Sequence, residues 1–495
     1  MPLRALAAAA ALLVTLGAAR AQDCAAPPAS PPLAAQGQGL PPTATRAHKL
    51  ALTGRCLAFQ SEAGAIPVEG EDGKPRAEIA YVAYTLAAGD AAKRPVMFAL
   101  NGGPGAGSVW LQLGALGPWR LPMLGLTPSA TPALIANDDT WLDFADLVFL
   151  DPPGTGYSRP HDESAAQKAG VWSVGGDIDL LSEAIRLWLT QHGRLGSPKF
   201  IVGESYGGFR APKLAHTLTK DDGVGIAGIV LLSPVLDFGP FVSGPDNPFP
   251  YLTRLPSYAA TVREAKGPVA RGDLTPVEAY AKGEYLADWL AGPRDEAAVA
   301  RRVARVAELT GLPEEVVRRY RGDLDEQDFL RERGRLAGST LAFYDATLSA
   351  GATGPDWPDG QDPILPGFLP ALTGAMTTLY REQLGWKLDA QYETLNDAVS
   401  SHWAWGRGLR APDALGDLAQ DLALDPAFRV LVAHGLTDVQ APYFASVLQL
   451  QRLPPFADPG RLGVEVYPGG HMFYMRDDSR KAFREAARRL VGEAP

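Results

Sequence analysis

Hydrophobic positions change rhythm several times along this chain. At 78–87, 95–100, 146–151, 199–203, 226–233, 428–434 and 462–467 they gather into short runs bounded by glycine and proline. Several runs are continuous rather than alternating, which predicts strands buried on both faces, as in a parallel sheet. Between them lie helix-period stretches. In 175–192, Ile178, Leu181, Ile185, Trp188 and Leu189 fall on one face. Strands alternating with helices predict an α/β fold with a mostly parallel central sheet flanked by helices. No self-similarity at solenoid or propeller periods competes with this reading.

Residues 251–404 follow a different pattern, in which strand-like runs give way to amphipathic helices. Thr275-Pro276-Val277-Glu278 has the form of a capping box with proline at the first helical position. Val299, Val303, Val306 and Leu309 mark one helical face. The expected organisation is therefore a first core segment at 57–250, a mainly helical cap insertion at 251–404 and a second core segment at 405–495. The stretch 351–370, with Pro355, Pro358, Pro363, Pro366 and Pro370, reads as a lid-like loop or a surface linker.

The N-terminus carries Arg4, an apolar run from Ala5 to Leu16 and the small-x-small sequence Ala19-Arg20-Ala21. This is the form of a cleaved signal peptide over 1–21, and the run is shorter than the roughly 20 residues that span a bilayer. Export to a periplasmic or extracellular space is expected, with no stable membrane span. Residues 22–56 read as an extended tail, because 25–45 are rich in Pro, Ala, Gly and Gln without periodicity. Cys24 and Cys56 are the only cysteines. In an oxidising compartment one disulfide is the economical expectation, two free thiols the alternative. The chain holds 46 Lys and Arg against 56 Asp and Glu, a net charge of −10. That balance lacks the basic footprint of a nucleic-acid binder.

The strongest chemical signal is Gly203-Glu204-Ser205-Tyr206-Gly207-Gly208, which follows the run Lys199 to Val202 and precedes a helix-compatible segment. This is G-x-S-x-G in strand–turn–helix context, where the serine sits on a strained turn with crowded neighbours. A nucleophilic serine needs a base and an orienting acid, in the chain order serine, acid, histidine for such folds. Asp438 follows the strand ending at Ala433, and His471 follows the strand 462–467, 33 residues later. Both fall on loops at the carboxyl edge of a parallel sheet, where ligands bind. His434 is the rival base, and its place just before Asp438 assigns it instead to packing or hydrogen bonding beside the acid loop. The histidines lack the close pairing of a zinc site, and no metal or cofactor is expected.

Asn101-Gly102-Gly103-Pro104-Gly105-Ala106-Gly107-Ser108 also follows a strand. It fits neither a P-loop nor a dinucleotide fingerprint, and Pro104 removes an amide that a phosphate cradle needs. In a serine hydrolase this position supplies an oxyanion donor, so the Gly103 and Tyr206 amides form the expected pair.

Together these segments resemble the serine carboxypeptidase family of α/β-hydrolases, including its bacterial secreted members. The resemblance rests on Asn101 to Gly105, on Asp151-Pro152-Pro153-Gly154-Thr155-Gly156-Tyr157-Ser158, on Gly203 to Gly208, and on the Asp438 and Gly470-His471-Met472 segments, in the family's order. It implies an α/β-hydrolase fold with a cap at the position of 251–404, a peptide substrate with a free C-terminus, and Ser205, Asp438 and His471 as catalytic residues. Asn101, Gly102 and Glu204 match positions that hydrogen-bond the substrate's C-terminal carboxylate, and the Asp151–Ser158 segment matches one that shapes the neighbouring pocket. Three departures stand out, one of them that with only two cysteines the family's usual disulfide framework is missing. Ala106 replaces a cysteine, and Ala115 replaces a second glutamate of the carboxylate-binding network. Esterase or acyltransferase activity on the same three residues is the alternative, and a non-catalytic binding protein of the same fold is a more distant one.

Overall fold

Nine strands form one continuous sheet in the computed structural model, which describes residues 24, 33–34, 40–70, 72–162, 164, 170–241, 246–351, 362–406, 410–456 and 458–493. In chain order they are β1 (Ala44–Leu52), β2 (Arg55–Glu69), β3 (Pro75–Leu86), β4 (Val96–Leu100), β5 (Asp146–Leu150), β6 (Lys199–Glu204), β7 (Gly228–Leu232), β8 (Arg429–Gly435) and β9 (Leu462–Tyr467). Their spatial order is β9-β8-β7-β6-β4-β5-β3-β2-β1, with a short segment at 159–160 added beside β3. From β9 to β5 neighbours run parallel, and β3, β2 and β1 continue the sheet antiparallel.

The continuous apolar runs explain the centre of this sheet. Every residue of β4, β5, β6 and β7 is buried. Alternate side chains serve two separate cores: Met97, Ala99, Phe200 and Val202 pack on one face, and Val96, Phe98, Leu100 and Ile201 on the other. On the second face lie α1 (Val174–Gln191) and α2 (Tyr206–Lys220). Ser173 caps α1 by accepting from Gly176 N, and the predicted face of Ile178, Leu181, Ile185, Trp188 and Leu189 is buried.

Residues 44–56, assigned by composition to the tail, belong to the sheet. The inward face of β1 carries Arg46 and His48 among Ala44, Leu50 and Leu52, so the alternation is masked by polar residues. His48 is accommodated by a 2.7 Å hydrogen bond to Ser61 Oγ and by stacking on Phe59, and burial pushes its pKa down to about 4. Cys24 and Cys56 are joined in a disulfide, which ties Cys24 to the start of β2. The predicted leader at 1–21 lies outside the described residues, as do most of 22–39 and residues 352–361 of the lid-like loop. The rest of that loop differs from expectation, since Leu365–Thr378 is helical with Pro366 in its first turn.

Between β7 and β8 the chain runs mostly through helices, among them α3 (Leu255–Glu264), α4 (Glu296–Thr310) and α5 (Glu326–Ala337). Val303, Val306 and Leu309 of α4 join a third core with Leu436, Val439 and Tyr443, so this segment packs onto the loop that follows β8. Two local expectations fail here. Thr275 is itself helical, and Glu278 turns away from the helix start to accept from Arg271 Nε at 3.1 Å and Tyr443 Oη at 2.9 Å. The segment also holds an antiparallel pair, Ser339–Leu341 with Ser349–Gly351, too short to register as a hydrophobic run. Among the described residues no helix is long and apolar enough to cross a membrane.

Candidate active site

Strand β6 ends at Glu204, helix α2 begins at Tyr206, and Ser205 between them takes φ 60° and ψ −120°. Such a left-handed serine is strained and persists only where its surroundings hold it. Its amide donates to Leu232 O at 2.8 Å, and a Cβ on Gly203 would lie 1.9 Å from Gly207 O, so only glycine permits the turn. Ser205 stays partly exposed while Glu204 and Tyr206 are buried. The nucleophile candidate is thus the one side chain of the three that faces outward.

Asp438 and His471 sit on the loops after β8 and β9. Thr437 N donates to Gly469 O at 2.9 Å, which draws the two loops together. Asp438 is fully buried, its Oδ1 accepting from Gln440 N and Ala441 N at 2.9 Å each, and its Oδ2 lies 2.7 Å from His471 Nδ1. Burial works against a charged His471 ring, but the Asp438 carboxylate and its hydrogen bond outweigh this and raise the pKa above the ordinary histidine value. Ser233 Oγ donates to His471 O at 2.8 Å, and Ser233 directly follows the Leu232 that holds the Ser205 amide. Ser205 and His471 are thereby brought to one edge of the sheet, although among the described residues no hydrogen bond joins them. The rival His434 is fully buried, 2.9 Å from Ser446 Oγ, and burial lowers its pKa to about 3.

Beside the serine, the 101–108 loop packs against the start of α2. A Cβ on Gly102 would lie 2.5 Å from Tyr206 N, so the backbone around Gly103 abuts the amide expected as its oxyanion partner. Asn101 is oriented by Leu111 N, which donates to its Oδ1 at 3.0 Å, and its Nδ2 donates to Glu204 Oε2 at 2.5 Å. Tyr474 Oη lies 3.0 Å from both Glu204 oxygens. Burial dominates at Glu204 and pushes its pKa up to about 7, against the opposing pull of His471 and the two hydrogen bonds. A carboxyl group able to carry a proton near neutrality therefore directly precedes the serine.

Tyr474 is not visible in the sequence motifs. Its ring packs where a Cβ on Gly114 would come within 2.6 Å, and Ala115 is fully buried next to it, so a small Gly-Ala pair opens the space the tyrosine enters. Its position three residues after His471 is the one sequence signal that could have drawn attention to it. The Asp151–Ser158 loop is fixed onto the 101–108 loop by Asp151, which accepts from Ser108 N at 2.8 Å and Tyr392 Oη at 2.9 Å, with burial raising its pKa to about 6.

Beneath the loop, Arg210 and Asp177 form an ion pair with neither side chain exposed, at 2.6 and 3.2 Å, and Arg210 also donates to Asn101 O. Removing one member strands a buried charge. Arg210→Met is expected to lower the unfolding free energy by about 3–5 kcal/mol in chemical denaturation. The double variant with Asp177→Leu should recover much of that loss, and a single variant within experimental error of the wild type would refute the argument.

Residues 53–237 match the family described as serine carboxypeptidase, and this span holds the 101–108 loop, the 151–158 loop and the Ser205 turn. Similar proteins include serine carboxypeptidase-like 8 of Arabidopsis thaliana, 25% identical over 46% of this chain and 49% of that protein. A pheromone-processing carboxypeptidase of Cryptococcus gattii is 33% identical over 36% of this chain and 26% of its own length. The chain thus spans about half or less of the length of the curated relatives it matches. The fold resembles the crystal structure of a prohormone-processing carboxypeptidase from Saccharomyces cerevisiae, with TM-score 0.54 and 16% identity over 88% of this chain and 92% of that one. The fold around the matched segment is that of the α/β-hydrolases, as the strand pattern and motifs led one to expect. Among the described residues no group of three or more His, Cys, Asp or Glu side chains is placed to hold a metal ion.

Proposed function

We propose that this protein is an exported serine-type carboxypeptidase that removes C-terminal residues from peptides through an acyl-enzyme on Ser205. The observation that carries the reading is the buried Asn101–Glu204–Tyr474 group immediately beside the serine. A protonated Glu204 carboxyl and the Asn101 amide are suited to donate to a peptide's terminal carboxylate, and Gly102 lets the backbone approach closely.

Ser205 Oγ attacks the carbonyl carbon of the last peptide bond, and His471 accepts the hydroxyl proton. Asp438 holds the proton-bearing Nδ1, which leaves Nε2 as the base. The Gly103 and Tyr206 amides stabilise the oxyanion. Collapse breaks the C–N bond as His471 returns the proton to the leaving amine, and water then cleaves the acyl-enzyme by the same route. The Ser205–His471 contact forms as substrate binds, as apo catalytic hydrogen bonds commonly tighten in the complex. Residues 251–404 act as a cap over this edge, a role supported by the shared core of α4 with Val439 and Tyr443.

Export is supported by the 1–21 pattern and by the Cys24–Cys56 disulfide, which persists in oxidising spaces such as a periplasm or the exterior. One observation favours a second reading, ester hydrolysis or acyl transfer on the same residues: Ala115 leaves the carboxylate-binding network without a second carboxyl group. Digestion of a peptide panel with mass-spectrometric readout separates the two. Sequential loss of single C-terminal residues is expected, and turnover of esters without any peptide shortening would overturn the peptidase reading.

A further inference from the structure

The loop between the short strands Ser339–Leu341 and Ser349–Gly351 comes from the helical segment, yet it lies between the acid loop and the histidine loop. Asp345 is buried at its centre. Its Oδ1 accepts from Thr437 Oγ1 at 2.7 Å, and Thr437 directly precedes Asp438. Its Oδ2 accepts from Gly470 N at 3.1 Å, and Gly470 directly precedes His471. The flanking backbone repeats the bridge. Tyr344 O accepts from His471 N at 2.5 Å, and Ala346 N donates to Thr437 O at 3.2 Å. The approach is so close that a Cβ on Gly470 would lie 2.1 Å from Tyr344 O.

The bridge is itself braced. Asp362, also buried, accepts from Phe343 N at 2.9 Å and Tyr344 N at 3.2 Å. Arg476, beyond the histidine loop, pairs with Glu264 of α3 and lies 3.4 Å from Asp345 Oδ2 and 3.2 Å from Thr347 Oγ1. One carboxylate therefore has an oxygen on each of the residues that precede the acid and the base, which are otherwise 33 residues apart.

We propose that Asp345 is a positioning residue that sets the Asp438–His471 alignment, which makes the helical segment a working part of the catalytic centre. Asparagine at this site keeps the shape but replaces one acceptor oxygen with an NH2 donor, so in either orientation a backbone amide that donates to the carboxylate, Thr347 N at Oδ1 (3.1 Å) or Gly470 N at Oδ2, faces a donor instead of an acceptor. Misalignment of the base slows the step that consumes the Ser205 proton and leaves substrate contacts in place, so its signature is a fall in kcat at constant KM. The proposal rests on the reading of Ser205, Asp438 and His471 as the catalytic residues, but not on the choice between peptide and ester substrates.

The test measures fluorophosphonate labelling of Ser205 and ester turnover for the wild type, Asp345→Asn, Thr437→Val and Thr437→Ser, with circular dichroism confirming the fold. Asp345→Asn should slow labelling and kcat roughly 10- to 100-fold with little change in KM. Thr437→Val should slow both by less, and Thr437→Ser, which restores the hydroxyl, should be close to wild type. Equal labelling rates for the wild type and all variants would overturn the proposal. So would a rise in KM without a fall in kcat. Absence of Ser205 labelling in the wild type would instead remove the catalytic reading beneath it. Should Asp345→Asn fail to fold, the Thr437 pair decides the matter, since Val and Ser rates that coincide exclude the bridge.

Discussion

Ser205→Ala is expected to reduce kcat by about 10⁶-fold while the protein stays folded. The argument starts from the turn. Ser205 is held at φ 60° by Leu232 O and by the close approach of Gly203 to Gly207, contacts that use the backbone and survive loss of the hydroxyl. Alanine therefore keeps the shape and removes only the nucleophile. His471→Ala should cost a similar factor, because neither residue acts without the other. Asp438→Asn should cost about 10⁴-fold, since its Oδ1 contacts to Gln440 N and Ala441 N survive while the tautomer control at His471 Nδ1 is lost. His434→Gln is the control, because that ring is hydrogen-bonded to Ser446 and far too weakly basic to serve. Kinetics on an activated ester together with mass-spectrometric mapping of a fluorophosphonate adduct checks all four. An adduct on another serine, or greater damage from His434→Gln, would show the assignment to be wrong.

The parts of this site that the sequence exposes are those whose chemistry is local. Ser205 announces itself because its turn needs glycines at fixed offsets after an apolar strand, and all of that lies within the ten residues 199–208. Asp438 and His471 are legible because each lies on the loop after a strand of the parallel part of the sheet, and strand ends there share an edge. Glu204 is named through motif resemblance, but its raised pKa comes from burial, against the lowering pull of hydrogen bonds that include one from Tyr474, 270 residues away. Asp345 carries no local signal at all. It lies in a segment that reads as helical, between strands of three residues, and its role exists only where two distant loops meet on it. The fold divides in the same way. Short apolar runs marked β3 to β9, whereas β1 was hidden by an Arg and a His on its inward face, whose partners are Glu382 O for Arg46 and Ser61 of β2 for His48.

The presence of a tyrosine at 474 changes what Ala115 implies for pH dependence. A second buried carboxyl group beside Glu204 would repel its charge and raise its pKa, whereas the Tyr474 hydroxyl donates to the ionised form and lowers it. Burial still leaves Glu204 titrating near 7. A free-acid peptide needs Glu204 protonated, to donate to its carboxylate, and His471 neutral, to act as base. Activity on free acids should therefore rise as His471 loses its proton and fall again as Glu204 does, giving a bell whose limbs belong to the coupled pair. Esters and C-terminal amides do not call on the Glu204 proton, so for them only the rising limb should remain. At the top of the bell, amidation should lower kcat/KM roughly 30- to 160-fold, the loss of about 2–3 kcal/mol from charge-assisted hydrogen bonds. Glu204→Gln keeps a neutral donor at every pH and should abolish the falling limb. Tyr474→Phe removes a hydrogen bond to the ionised carboxylate, so the Glu204 pKa should rise and the falling limb move to higher pH. Matched acid, amide and ester substrates assayed between about pH 4 and pH 9 cover the range over which these groups titrate. Equal kcat/KM for acid and amide at every pH would remove the carboxylate-binding role of Asn101 and Glu204 and leave ester or acyl-transfer chemistry as the use of this site.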